Sequence, residues 1–169
     1  QWGDEGKGRT IDLLAQNATI VARYSAGNNA GHTVVNDMGT FRLHLVPAGI
    51  FYADKTCLIG NGLVIDPADL LQEIENLQSK GVSVKNLYVS DRAHVTMPYH
   101  LLIDRADEEM RGPAAIGTTF RGVGPAFVDK VGRIGIRMGD LINPEAFHER
   151  LSLVLPYKNA VLTKLYGLE

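Results

Sequence analysis

Cysteine is almost absent. Cys57 is the sole one among 169 residues, which excludes an internal disulfide and fits a reducing cytoplasm. Long apolar runs are absent too. None approaches the ~20 residues a transmembrane helix needs, and no signal peptide is visible. Neither sign of charge dominates: 17 Lys and Arg face 19 Asp and Glu. That balance gives no electrostatic reason to expect nucleic acid or a membrane surface as partner. No internal repeat is present. An apolar share of 45% and a charged share of 21% are ordinary for one soluble domain with a real core.

Glycine, by contrast, is frequent at 18 residues. It gathers at 3–8, 27–31, 60–62 and 117–124, read as junctions where backbone comes close to something else. The chain opens at Gln1 directly on the first of these clusters. A loop of this kind ordinarily follows an anchoring strand. The expectation is a partial domain spanning 1–169, truncated at both ends, with its N-terminal strand missing.

Apolar spacing predicts a helix over 9–16, a strand over 20–24, and two strands over 33–35 and 41–45 around turn residues 36–39. In the second of these, Phe41, Leu43 and Leu45 alternate with Arg42 and His44, so one face is expected to be buried. Strand-like runs at 57–59 and 63–65 are read as split by Gly60, Asn61 and Gly62. Asp66 followed by Pro67 opens a helix that Lys80 and Gly81 close. A strand over 87–90 and a helix over 98–111 follow. Asn143 and Pro144 repeat the cap-plus-proline signal before a last helix. Strands alternating with helices predict an α/β fold: a P-loop-like domain with a mainly parallel central sheet flanked by helices, plus a small antiparallel hairpin.

Three segments carry chemistry. The first is QWGDEGKGR at 1–9. Gly6 and Lys7 leading into a helix suit phosphate binding, with successive N–H groups around the anion and Lys7 as a point charge. Gly8 stands where the Mg²⁺-binding Ser or Thr of a Walker loop would be. Asp4 lies inside the loop, where phosphates would repel it. Such a carboxylate could hold Mg²⁺, accept a proton from a substrate, or do both.

The second is GNNAGHT at 27–33. Its small residues let backbone approach a ligand, and Asn29 can make paired hydrogen bonds. His32 could donate to a leaving phosphate oxygen or stabilise charge there; alone, it reads more readily as a turn histidine capping a strand end. His44, His94, His100 and His148 show no chemical pattern. The third segment covers 116–137, where hydroxyls and glycines accompany Arg121, Arg133 and Arg137. It suits phosphate or ribose contact as well as it suits a flexible connector.

Together these strings resemble the adenylosuccinate synthetase family. The matching stretches are QWGDEGKGR, GNNAGHT and IGTTFRGVGPAFVDKVGRIGIRMGDL, with LIGNGLVI and SDRAH between them. Ala26, where a second glycine is expected, and Arg9, where lysine is usual, are mild departures. The resemblance implies ligation of L-aspartate to IMP at the expense of GTP, giving adenylosuccinate, GDP and phosphate with one Mg²⁺ ion. This is the first committed step from IMP toward AMP.

By the same resemblance Asp4 would take the N1 proton of IMP, so that O6 attacks the γ-phosphate, while His32 acts as acid and Lys7 completes the catalytic set. Gly3, Asp4, Glu5, Gly6, Lys7, Gly8, Arg9, Gly31, His32 and Thr33 would line GTP. Asp4, Glu5, Gly6, Lys7, Asn29, Ala30, Gly31, His32 and Thr119 would contact IMP, and Asp4 with the Gly31 carbonyl would hold Mg²⁺. Arg133 would reach the IMP site of the partner in a cytoplasmic homodimer. Guanine and aspartate contacts would fall outside this chain, so the fragment alone is expected to be inactive. A rival remains: a phosphate-binding module, which would need Lys7 and the glycines but not Asp4 and His32 together.

Overall fold

The computed structural model describes residues 6–168. In chain order its elements are α1 (Lys7–Ala15), β1 (Ile20–Ala26), β2 (His32–Asn36), β3 (Gly39–Leu43), β4 (Thr56–Ile65), α2 (Pro67–Ser79), β5 (Leu87–Val89), β6 (His94–Val95), α3 (Pro98–Arg111), α4 (Val123–Val131), α5 (Met138–Leu141) and α6 (Pro144–Ala160). Among the described residues no helix is long and apolar enough to cross a membrane.

The spine is β4. It pairs in parallel with β1 on one side and β5 on the other, and through its second half with β6. β2 and β3 form a separate antiparallel hairpin closed at Asn36 and Gly39. This is the expected architecture. Cys57, Ile59, Leu63, Val64 and Ile65 of β4 are buried at 1% exposure or less, and each large aliphatic among them contributes roughly 1.5–3 kcal/mol of burial. Cys57, Ile59, Leu63 and Ile65 join Phe41, Leu43, Leu45 and Leu70 in the main core. A smaller core holds Tyr99 and Ile103 of α3 with Val154 of α6.

One expectation is corrected. The runs at 57–59 and 63–65 are a single strand, and Gly60 and Gly62 lie within it. The register of β1 against β4 shifts between Arg23 and Ser25. A Cβ at Gly62 would stand 1.9 Å from the Tyr24 carbonyl oxygen. These glycines serve close approach of two strands at a bulge, not a turn.

The local start signals hold. Asp66 accepts from the N–H of Ala68 and Asp69 at 2.9 and 3.3 Å, and Asn143 from Glu145 and Ala146 at 3.1 and 3.2 Å. β3 ends at Leu43, so His44 lies just past the strand rather than inside it. There the Glu73 carboxylate of α2 takes over, accepting from the N–H of His44, Leu45 and Val46 at 3.1, 3.0 and 3.0 Å. Sequence reading missed β6, α4 and α5. α4 opens at Gly122 in the left-handed region (φ 68°), and Pro125 falls in the first turn, where a missing N–H costs nothing.

Candidate functional site

A cleft of about 400 Å³ lies where the first turn of α1 faces β1 and the start of β2; Lys7, Gly8, Gly31 and His32 line it together with Arg23 and Pro47. The first N–H groups of a helix have no intrahelical partner, and the helix dipole makes that end favourable for an anion. Gly6 enables the entry, with φ 73°. Gly8 has a packing reason for lacking a side chain: a Cβ there would sit 2.9 Å from the Cβ of His32. That contact presses the first segment against the second.

His32 is the first residue of β2, opposite Leu43. Its Nε2 lies 3.5 Å from Oδ1 of Asp12 on α1, and among the described residues neither atom has a hydrogen-bond partner. Burial raises the Asp12 carboxyl above its usual range, with the attraction of His32 opposing. Arg23 shapes the loop ahead of His32 from beneath, donating to the carbonyls of Gly27 at 3.0 Å and Ala30 at 3.2 Å. Burial lowers its pKa, and the charge of Glu73 opposes that shift. Sequence reading singled out neither Asp12 nor Arg23, because their roles depend on which loop folds over them.

The remaining expected residues are divided. Gly6, Arg9 and Thr33 line a second cleft of about 920 Å³ on the other side of α1. Ala30 lines the first cleft, while Asn29 and Thr119 are exposed. Gly3, Asp4 and Glu5 lie outside the described residues. Among the described residues no group of three or more His, Cys, Asp or Glu is placed to hold a metal ion. The third segment is tied to the second: Oδ2 of Asp69 accepts from the Arg121 guanidinium at 2.7 Å and from the Asn28 amide. Gly27 also abuts Val123, whose Cγ2 would be 2.8 Å from an added Cβ.

Arg133 stands apart, in a third cleft of about 440 Å³ with His94, Lys130, Arg137 and Arg150. Its backbone is left-handed (φ 62°), and Arg150 holds it by donating to the Arg133 carbonyl at 2.7 Å. His94 is pushed down to about 4, by burial first and then by Lys130 and Arg137. His100 has a structural task. Its Nδ1 accepts from the Met97 N–H at 2.9 Å, which leaves Nε2 to donate to Asp129 at 2.9 Å. Lys158 bonds the other Asp129 oxygen. The three are 0%, 1% and 4% exposed, and they pin α3, α4 and α6 together.

The parallel sheet, the helix begun at Gly6 and Lys7, and the cleft at its first turn define an α/β domain of the phosphate-loop kind. The chain belongs to the adenylosuccinate synthetase family, whose sequence profile matches residues 1–169. It is 58% identical over 166 residues to the adenylosuccinate synthetase of Dehalococcoides mccartyi, covering 98% of this chain and 39% of that one. To the Heliobacterium modesticaldum enzyme it is 57% identical over 169 residues, covering 100% and 40%. The chain thus spans about 40% of the length of the curated relatives it matches. The fully ligated adenylosuccinate synthetase structure from Plasmodium falciparum superposes with a TM-score of 0.84 at 39% identity, over 99% of this chain and 38% of that one. A cyanophage S-2L succinoaminodeoxyadenylate synthetase bound to dGMP and dATP matches with a TM-score of 0.62 at 31% identity, over 84% and 39%.

Proposed function

We propose that residues 1–169 form a partial domain of a homodimeric, cytoplasmic adenylosuccinate synthetase that joins L-aspartate to IMP using GTP. The observation that carries this reading is the contact of Gly8 with His32. It sets a helix start suited to phosphates and an imidazole suited to proton transfer in one cleft.

In this reading the Asp4 carboxylate takes the proton from N1 of IMP, and the charge moves to O6. O6 attacks the γ-phosphorus, the bond to GDP breaks, and Lys7 with the first-turn N–H groups of α1 balances the moving charge. His32 donates to the phosphoryl group in transfer. The amine of aspartate then displaces phosphate at C6, giving adenylosuccinate. GTP is lined by Gly3, Asp4, Glu5, Gly6, Lys7, Gly8, Arg9, Gly31, His32 and Thr33. IMP is met by Asp4, Glu5, Gly6, Lys7, Asn29, Ala30, Gly31, His32 and Thr119. Mg²⁺ prefers hard oxygen donors, and the Asp4 carboxylate and Gly31 carbonyl are of that type; the ion would neutralise phosphate charge. Arg133 is assigned to the partner's IMP site. That assignment is supported by its cleft sharing no residue with the other two.

The test uses the full-length protein. Asp4→Asn and His32→Asn should each lower kcat by about 10²–10⁴-fold with the circular dichroism spectrum unchanged. Wild-type turnover in either variant sinks that residue's role. Phosphate release from GTP that proceeds without regard to IMP would instead support the phosphate-binding module.

A further inference from the structure

Residues 119–121 are bracketed by two carboxylates from one face of α3. Glu108 accepts from the N–H of Ile116 at 3.0 Å, Gly117 at 2.6 Å and Thr118 at 3.2 Å. Asp104, one helical turn earlier, accepts from the N–H of Gly122 at 2.9 Å. Spacing of i and i+4 puts both acids on the same face, and each is 6% exposed. The donors between them are uncommitted: among the described residues, the N–H groups of Thr119, Phe120 and Arg121 have no acceptor.

The loop needs an outside hold. Gly117, Phe120 and Gly122 have φ of 79°, 55° and 68°. For phenylalanine that conformation costs roughly 1–2 kcal/mol, and Phe120 is 44% exposed, so its own packing gives little in return. Strain of this kind persists only where the surroundings over-determine the backbone. The bracket supplies that constraint on both sides. It also explains why two acids stand buried beside a segment read as an anion contact. Their charge is spent on backbone N–H groups, and the three N–H groups between them keep their positive ends free.

We propose that Glu108 and Asp104 are positioning residues for IMP: by fixing the backbone before and after 119–121, they hold the Thr119 hydroxyl and the three free N–H groups ready for the nucleotide. The inference rests on the reading of Thr119 as an IMP contact. Neither acid touches substrate; each acts through the loop.

The experiment is steady-state kinetics on the full-length protein. Glu108→Gln puts a donor where a backbone N–H needs an acceptor. Its KM for IMP should rise about tenfold, a loss of roughly 1.4 kcal/mol, while kcat and the KM for GTP stay within about twofold. Asp104→Asn should move the same way, and Glu108→Asp should recover part of the loss. Hydrogen exchange at 116–118 should quicken in Glu108→Gln without change in β4. Equal rises in both KM values, or an IMP KM that does not move, would overturn the proposal. So would failure of both Glu108 variants to fold, since the bracket would then be a fold element. Thr119→Ala separates the two levels. If it leaves the KM for IMP unchanged, the Thr119 reading fails and takes the inference with it. If it raises that KM while Glu108→Gln does not, the bracket alone fails.

Discussion

Glu73 on α2 and Glu108 on α3 each accept from three consecutive backbone N–H groups, at 44–46 and at 116–118. What they hold differs. Leu45 and Val46 are fully buried, at 0% exposure, and the segment leads from the hairpin into the wall of the first cleft. Ile116 is 70% exposed, and its segment leads to the loop at 119–121, where Phe120 is 44% exposed. One carboxylate geometry therefore does two jobs. Where the side chains of the held segment enter the core, it stabilises the fold. Where they face solvent, it sets only the shape of a loop, and its loss should register in ligand binding rather than in stability.

A third buried acid sets the upper end of the scale. Asp129 on α4 binds His100 of α3 and Lys158 of α6, so it joins three helices. Burial alone would raise its carboxyl, but the hydrogen bonds from His100 and Lys158 outweigh that and hold it below the usual range. Asp129→Ala strands the Lys158 charge, 4% exposed. Breaking a buried pair from one side costs about 3–5 kcal/mol, read as a lower urea midpoint of the full-length protein. A loss under about 1 kcal/mol, the range of exposed pairs, would remove this acid from the comparison.

Glu73→Gln should come next. An amide cannot accept from all three N–H groups at 44–46, and buried donors left unmet cost about 1–3 kcal/mol each. A stability loss of about 2–3 kcal/mol is expected, with the midpoint of Glu108→Gln close to wild type. Equal midpoints for the two variants would break the contrast between core and loop outright.

The same contrast marks what is legible in the residues themselves. Asp66 and Asn143 are readable as helix caps because a cap bonds its own next turn. Phe41, Leu43 and Leu45 are readable as a buried face because alternation is local. Gly60 and Gly62 mislead, since their reason is the Tyr24 carbonyl of another strand. Gly122, Gly124 and Pro125 resemble a connector, yet α4 begins there because Asp104 caps the Gly122 N–H from a different helix. In the candidate site, Lys7, Gly8, Gly31 and His32 stand out by composition and meet in one cleft. Arg23, Asp69, Asp104 and Glu108 do not stand out, because acids and arginines on amphipathic elements look the same whether they face solvent or clamp a loop.

The smallest effect is in pH. Burial pushes the Glu108 carboxyl up, but the N–H donors at 116, 117 and 118 prevail and hold it below its usual value of 4.5. A carboxyl whose folded pKa is depressed contributes fully above the unfolded value, and the contribution fades as pH falls through the folded one. Hydrogen-exchange protection at 116–118, compared with β4 at the same pH, should therefore hold steady down to about 4.5 and decline only below it. Glu108→Gln has no proton to gain there, so its protection ratio should be low and flat. A wild-type decline that begins well above 4.5 would mean that another group governs the loop, and Glu108 would lose the distinction drawn between it and Glu73.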